Sequence, residues 1–170
     1  PIVCPGGQST IDTLCEIGIP RSNVVQIQGG CPPEFIRRCK NAWDRKASFP
    51  LVVMLTRLEA YKRVDWAIQA FAKVKQEAPD ARFIIIGWGK QEQKLRSLVN
   101  SLKLQKSVEL TGKLEGEEKM RLLMQAYVHL WSLSPRDGCG LSIIEASACG
   151  TPSLAWDVTG PKDTIVNGLN

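Results

Sequence analysis

Asp137 and Glu145 are the side chains whose type and spacing first suggest chemistry. Asp137 lies in a Gly-rich loop, and Glu145 lies eight residues later, inside a largely apolar segment of helical length, residues 141–149. A helix that is apolar on all sides is a buried helix, and a buried carboxylate is costly unless something satisfies it. We therefore expect Glu145 either to bind a ligand or to pair with a neighbouring cation.

The two acids bracket a predicted helix N-terminus. Free backbone N–H groups and the helix dipole favour anions at such a position, whereas carboxylates accept hydrogen bonds from hydroxyl groups. A ligand with both phosphates and hydroxyls, such as a nucleotide sugar, fits this combination. A glycosidase needs two acids that face each other across the scissile bond, so one acid before a helix and one inside it fit ligand binding better.

Arg57 and Lys62 follow the first predicted buried strand and precede a helix. Two cations at that position are suited to a pyrophosphate, with Arg binding in a bidentate way and Lys acting as a point charge. The same spacing is equally typical of surface charges on a loop that also holds Glu59 and Arg63. Spacing alone leaves both interpretations open.

Other chemistries are not supported by the spacing of the candidate residues. Gly87-Trp88-Gly89 follows a strand, but Glu92 stands where a dinucleotide-binding motif requires a third Gly. Ser134 is not in a G-x-S-x-G elbow. The six cysteines form no C-x-x-C pair, and the single His, His129, lies in an apolar strand, so we expect a core histidine and no metal site.

The elements that must position these residues form a regular alternation from residue 51 onward. Apolar runs predict strands at 51–55, 81–86, 107–110, 128–133 and 151–156, and helical spacing predicts helices at 64–74, 95–102, 120–127 and 141–149. This order predicts an α/β fold with a doubly wound parallel sheet. Ligands of such folds bind beyond the carboxyl ends of the strands. Before residue 51, a strand, a helix and a strand precede an irregular stretch at 29–50, and a helical turn is predicted at 164–166.

Composition and charge exclude several classes of protein. The chain is 44% hydrophobic and 23% charged, as in ordinary globular domains. Its net charge of +5 comes without a Lys/Arg run and with only 6% aromatic residues, which predicts no nucleic-acid partner. We expect a cytoplasmic protein, because there is no signal peptide or transmembrane run and six cysteines at this length do not require disulfides. Pro1 in place of Met predicts that residues precede it.

Several motifs, in family order, resemble the carboxyl-terminal half of the retaining GT-B glycosyltransferases of group 1, glycosyltransferase family 4. The resemblance covers residues 23–170, and its most specific part is Glu-Ala-x-Ala-x-Gly-x-Pro at 145–152. The other matching motifs are Thr56-Arg57-Leu58 with Lys62, Ile86-Gly87-Trp88-Gly89, Val108 to Gly112, the acid pair Asp137 and Glu145 with the Gly138-Cys139-Gly140 loop between, Asp157 to Pro161, and Asn167-Gly168.

The resemblance implies a role for each matching residue. Arg57 and Lys62 would bind the pyrophosphate of the donor and stabilise the charge on the leaving nucleotide diphosphate. Glu145 would hold the ribose hydroxyls, and Asp137 would contact the sugar. The remaining donor-binding residues would be Gly87, Gly112, Lys113, Gly138, Cys139, Gly140 and Leu141. The donor would be a UDP- or GDP-linked sugar, with no metal and no other cofactor.

The resemblance also implies a domain division and an incomplete chain. Residues 1–29 would be the end of an amino-terminal domain or the crossover from it, residues 30–50 a linker, and residues 51–170 a Rossmann-like donor-binding domain, truncated at its carboxyl end. The family's catalytic cleft lies between two domains, so we expect this chain alone to transfer no sugar. The partner would be the amino-terminal domain of the same full-length chain, with peripheral association at the cytoplasmic face of a membrane through that domain.

Two departures from the family pattern leave alternatives open. The first acid, Asp137, is one methylene shorter than the usual Glu, and Cys139 replaces the usual aromatic residue. These departures keep a degenerate nucleotide-sugar-binding module without turnover as an alternative. A GT-B nucleotide-sugar epimerase is the other alternative, because its catalytic residues would lie partly in the other domain.

Overall fold

The computed structural model describes residues 1–4, 6–27, 29–39, 42–131, 140–158 and 160–169. Its strands are β1 (Ile2–Cys4), β2 (Val24–Gln26), β3 (Leu51–Leu55), β4 (Arg82–Ile86), β5 (Val108–Gly112), β6 (Val128–Leu130) and β7 (Ser153–Leu154). Its α-helices are α1 (Gln8–Glu16), α2 (Pro33–Arg38), α3 (Val64–Glu77), α4 (Glu92–Ser101), α5 (Gly116–Gln125) and α6 (Leu141–Ala148). Short 3₁₀ turns cover Arg21–Asn23, Ala42–Arg45, Ala60–Lys62 and Pro161–Asp163.

The main sheet has the strand order β5-β4-β3-β6-β7, and all of its neighbouring strands are parallel. Leu51 and Val53 of β3 pack into one core, whereas Val52 and Met54 pack into another on the opposite face. Successive side chains of a strand point to opposite faces, so a continuous apolar run requires cover on both faces. Helices α3 and α4 supply one cover, and α5 and α6 supply the other. The predicted doubly wound parallel α/β fold is confirmed.

A second, two-stranded parallel sheet pairs β1 with β2. Its small core contains Cys4, Ile11 and Val24, all buried. Helix α1 also contacts a distant part of the chain, because both carboxylate oxygens of Asp163 accept the Ser9 N–H, at 3.2 and 3.1 Å. This contact joins the first helix to the 3₁₀ turn Pro161–Asp163 near the end of the described chain.

The stretch predicted to be irregular, 29–50, contains helix α2 and a 3₁₀ turn, so that prediction is wrong for residues 33–38. Pro33 at the first helical position fits the start of α2, because its fixed φ suits a helix and its missing N–H is not needed there. The stretch also packs against the main sheet: Cys39 is buried, with its Sγ 3.2 Å from the Sγ of Cys149. Lys46 Nζ donates to the carbonyl oxygens of Ala126 and Gly150. The division of the chain at residues 29, 30, 50 and 51 stays a prediction.

Two further differences concern the last third of the chain. Strand β7 contains two residues, Ser153 and Leu154, where the apolar run predicted six. The helical turn predicted at 164–166 is a 3₁₀ turn at Pro161–Asp163, where Pro161 begins the turn. No helix among the described residues is both long and apolar enough to cross a membrane.

Candidate functional site

The carboxyl ends of β3, β4, β5 and β6 meet at one edge of the main sheet, and the segments after them line a cavity of about 620 Å³. Backbone hydrogen bonds continue between these segments beyond the strands: Leu58 N–H donates to the Trp88 carbonyl at 2.8 Å. The lining residues are Leu55, Thr56, Arg57, Lys62, Ile86, Gly87, Trp88, Lys113, Leu114, Glu115, Lys119, Trp131, Gly140, Leu141, Ser142 and Glu145. The cavity therefore lies where ligands of doubly wound sheets bind.

The structure brings most of the predicted site residues to this one cavity. Those that line it are Arg57, Lys62, Gly87, Lys113, Gly140, Leu141 and Glu145. Gly112 is not a lining residue, but its carbonyl oxygen accepts the N–H of the lining residue Gly87 at 2.8 Å. Asp137, Gly138 and Cys139 lie outside the described residues.

Gly87 lines the cavity at a position where no larger residue would fit. A β-carbon at this position would lie 1.7 Å from the Thr56 carbonyl oxygen. The close approach keeps the loops after β3 and β4 together.

Helix α6 begins at the cavity. Gly140, the residue before it, has φ 64° and ψ 53°, a left-handed conformation that favours glycine. Leu141 and Ser142 are the first helical residues and line the cavity. The first N–H groups of a helix have no partner inside it, so this helix end offers donors and a positive dipole to an anion.

The two predicted pyrophosphate-binding cations differ in environment. Arg57 is exposed and donates from Nη2 to the Tyr61 hydroxyl at 2.6 Å. Lys62 ends the 3₁₀ turn Ala60–Lys62 and is buried, with 7% of its surface exposed and its Nζ 5.0 Å from the centre of the Tyr61 ring. The alternative of two surface charges therefore does not apply to Lys62. Lys62 therefore places a positive charge in the wall of this cavity.

Glu145 is paired and half-buried, which corrects the expectation of a fully buried acid. Its Oε1 lies 2.7 Å from Lys119 Nζ, and the two side chains are 26% and 21% exposed. Helix α6 is not buried on all sides, because Leu141 is 53% exposed and both Leu141 and Ser142 line the cavity. Glu145 therefore both pairs with a cation and faces the site where a ligand is expected.

Several lining residues are missing from the sequence prediction. No sequence pattern indicates that Lys119, on α5, lines the cavity, because the direction of its side chain depends on how α5 packs against α6. Trp88 lies inside the Gly87-Trp88-Gly89 motif but was not assigned to the site, and it is 54% exposed. Trp131, which is buried and directly follows β6, was expected to be part of the strand and not of the cavity wall.

Charge in the cavity is mostly positive. The described lining residues include the cations Arg57, Lys62, Lys113 and Lys119, against two acids. One acid, Glu115, forms an ion pair with Lys113, and that hydrogen bond holds the pKa of its carboxyl below the usual value. The balance favours an anionic ligand.

Two other expectations concern histidine and metal. His129 is fully buried, and burial lowers its pKa to about 4, so the ring is neutral at pH 7. Its Nδ1 lies 3.0 Å from Ser153 Oγ, and its buried Nε2 has no hydrogen-bond partner among the described residues. Across the part of the chain that the structure describes, no three His, Cys, Asp or Glu side chains come together as metal ligands would. Metal independence stays a prediction, since Asp137 and its loop lie outside that part.

Comparison with known proteins places the site in a family context. The family model for glycosyl transferases group 1 matches residues 36–170. The chain is 42% identical over 118 residues to an exopolysaccharide phosphotransferase of Streptomyces coelicolor, a match that covers 69% of this chain and 12% of that protein. It is 29% identical over 136 residues to a GDP-mannose-dependent monoacylated alpha-(1-6)-phosphatidylinositol monomannoside mannosyltransferase of Corynebacterium glutamicum, covering 74% of this chain and 35% of that protein.

A solved structure shares the fold. The pneumococcal O-GlcNAc transferase GtfA, in complex with UDP and GlcNAc, aligns with a TM-score of 0.78 over 95% of this chain and 30% of that chain, at 23% identity. The chain therefore spans about a third or less of the length of each protein compared.

Proposed function

Because this chain belongs to the group 1 family of glycosyl transferases, we propose that its cavity binds the nucleotide part of a nucleotide-diphosphate sugar. The protein that contains the chain transfers the sugar to an acceptor. The observation that carries the proposal is that Arg57, Lys62, Glu145 and the start of α6 line a single cavity at the carboxyl ends of the strands. Together they supply binding groups for a diphosphate and for sugar hydroxyls.

The diphosphate is assigned to the cationic side of the cavity. Arg57 offers a planar fork of N–H donors, and Lys62 offers a compact ammonium group. The N–H groups at the start of α6, after Gly140, add neutral donors and the helix dipole. In transfer, the sugar–phosphate bond breaks and negative charge grows on the nucleotide diphosphate that leaves. Cations that contact this group stabilise the transition state more than the ground state.

Glu145 is assigned to the ribose of the donor. Its carboxylate lines the cavity one helical turn after Leu141, so a ligand with phosphates at the helix start has hydroxyl groups within reach of it. Carboxylate oxygens accept two hydroxyl hydrogen bonds readily. Asp137 would contact the transferred sugar, by the family resemblance.

The finer features of the reaction are proposals that rest on the family resemblance. These are assignment to family 4 with a GT-B arrangement, retention of configuration at the sugar, and transfer without a metal or other cofactor. The relatives' names support a UDP or GDP donor, because one is GDP-mannose-dependent and another was solved with UDP. The amino-terminal domain that would supply the acceptor site, a cytoplasmic location and peripheral membrane association belong to the same proposal.

The alternatives are less well supported. The family match favours a transferase over a nucleotide-sugar epimerase. A degenerate module without turnover is less well supported, because Lys62 and Glu145 both line the one cavity. A phosphotransferase activity is not favoured, because the match to the Streptomyces relative covers only 12% of that protein.

Calorimetric titration of the full-length protein with UDP, GDP and ADP tests the proposal. We expect one of the first two to bind, and Glu145→Gln to weaken that binding about tenfold, because a charged acceptor is replaced by a neutral amide. Glu118→Gln is the matched control, since Glu118 is exposed on α5 and does not line the cavity. Absence of binding to all three nucleotides would refute the assignment of the cavity.

A further inference from the structure

Lys119 and Glu145 reach the cavity from two different helices. Lys119 projects from α5 and Glu145 from α6, and Lys119 Nζ lies 2.7 Å from Glu145 Oε1. Both side chains line the cavity and keep about a quarter of their surface exposed. Their contact therefore lies where an entering ligand would touch it.

The pair leaves Glu145 able to bind a ligand. An ionised carboxylate has two oxygens with about four acceptor positions. Lys119 occupies one of these positions, on Oε1. Acceptor positions remain on both oxygens for hydroxyl groups of a ligand, so the ion pair does not close the site.

Lys119 also supplies what a ligand-binding glutamate otherwise lacks. A glutamate side chain has three rotatable bonds, and their freedom is lost when a ligand is bound. An ammonium group that already fixes the carboxylate removes part of this entropic cost before binding, which is preorganisation. It also keeps the carboxylate paired when a ligand covers it, and an unpaired covered charge would be strongly unfavourable.

We propose that Lys119 is a positioning residue that holds the Glu145 carboxylate in place for the ribose hydroxyls of the donor. The inference rests on the proposed function. Family membership does not supply this inference, because the resemblance assigns the ribose contact to Glu145 and gives no role to Lys119.

The competing role for Lys119 is general attraction of the diphosphate. Lys119 adds one positive charge to a cavity that already holds Arg57, Lys62 and Lys113. A lysine that acts by charge alone would strengthen the binding of every nucleoside diphosphate equally. A lysine that acts through Glu145 would strengthen the binding only of ligands that carry the hydroxyl groups which Glu145 binds. The two roles therefore differ in how affinity depends on the ribose.

The experiment compares a ribonucleotide with its 2′-deoxy counterpart by calorimetry on the full-length protein. The ligands are UDP and 2′-deoxy-UDP, or the guanine pair where GDP binds more tightly. The proteins are the wild type, Lys119→Met, Lys119→Arg, Glu145→Gln and the double variant of Lys119→Met with Glu145→Gln. Lys94→Met is the control, because Lys94 is exposed on α4 and does not line the cavity.

We expect the wild type to prefer the ribonucleotide about tenfold, as one hydrogen bond to a charged group predicts. Lys119→Met should reduce this preference to near unity, whereas Lys119→Arg should retain part of it. In the double variant, the preference should be the same as in Glu145→Gln alone. Thermal unfolding of each variant identifies a misfolded protein, and Lys119→Arg keeps the test decisive where Lys119→Met is unstable.

Equal weakening of both ligands by Lys119→Met, with the preference unchanged, would overturn the inference in favour of general attraction. Failure of the wild type to bind any nucleotide would instead refute the proposed function, and this inference with it. That failure appears in the wild type before any variant is measured.

Discussion

Gly87 and Thr56 approach so closely that a β-carbon on residue 87 would lie 1.7 Å from the Thr56 carbonyl oxygen. The two residues follow β4 and β3, which are neighbours in the main sheet. Thr56 N–H also donates to the Ile86 carbonyl at 3.0 Å. The close approach therefore fixes the two loops that carry Trp88 and Arg57 into the cavity.

Gly87→Ala should destabilise the fold by about 2–3 kcal/mol, because backbone must move to admit the methyl group. Urea unfolding measures the loss. Gly30→Ala is the matched control: nothing lies within 4 Å of the β-carbon position at Gly30, and its φ is not positive. The control should stay within about 0.5 kcal/mol of the wild type. Equal stability of the two variants would show that the loops after β3 and β4 adapt freely.

Lys62→Met should weaken binding of a nucleoside diphosphate about tenfold or more and leave binding of the nucleoside unchanged. The buried ammonium group is proposed to contact phosphate, and methionine keeps the shape of the side chain without the charge. Calorimetry with UDP and uridine, or their guanine counterparts, measures both affinities. Lys73→Met, exposed on α3, is the control. A parallel loss of nucleoside binding would indicate a collapsed cavity instead of a lost phosphate contact.

His129 should make the protein less stable as pH falls from about 6.5 to about 4. Its pKa is about 4 in the fold, against 6.5 as the ordinary value, because burial disfavours the imidazolium. The unfolded chain takes up a proton below pH 6.5 and the folded protein does not until about pH 4. Within that window the free energy of unfolding therefore falls by at most about 1.4 kcal/mol per pH unit, and by about 3 kcal/mol in total because the slope is smaller at both ends.

Urea unfolding at several pH values tests the His129 prediction against His129→Gln, which has no titrating ring. The wild type should show the steeper loss between pH 6.5 and 4, and the two curves should run parallel above pH 7. Acidic residues contribute to both curves and cancel in the comparison. Identical slopes in this window would contradict a neutral, buried His129.

Asp163→Ala should cost about 1–2 kcal/mol, because it removes the carboxylate that accepts the Ser9 N–H at the start of α1. Gly7, the residue before α1, supplies no side-chain cap of its own. Asp163→Asn should retain most of the stability, since an amide oxygen still accepts the bond. The control is Asp12→Ala, an exposed acid on α1 that accepts from Gln8 at 2.7 Å. If Asp163→Ala lowers the free energy of unfolding no more than the control does, the contact between α1 and Asp163 does not stabilise the fold.

The convergence of Arg57, Gly87 and Glu145 could be predicted from the sequence. Each follows or lies beyond a strand-like apolar run, and parallel strands end at the same edge of the sheet. Family motifs then assigned a role to each residue. The positions of these residues along the chain were therefore sufficient to bring them to one site.

The partner of Glu145 could not be predicted. Lys119 lies 26 residues before it, on another helix, and a rotation of α5 by a fraction of a turn would direct its side chain elsewhere. The environments of Arg57 and Lys62 could not be predicted from the sequence either. The 3₁₀ turn Ala60–Lys62 leaves Arg57 exposed and Lys62 buried. Helix α2 was missed because its six residues are too few for a periodic pattern.

The sequence by itself determined the alternation of strands and helices, the edge of the sheet where the cavity lies, and the family. Apolar periodicity and motif order are properties of neighbouring residues, so they can be read along the chain. Only the tertiary structure decided that Glu145 is half-buried and held by Lys119, and that Lys62 lies inside the cavity wall. Ion pairing and burial depend on which side chains packing brings together, and α5 and α6 meet only in the folded protein.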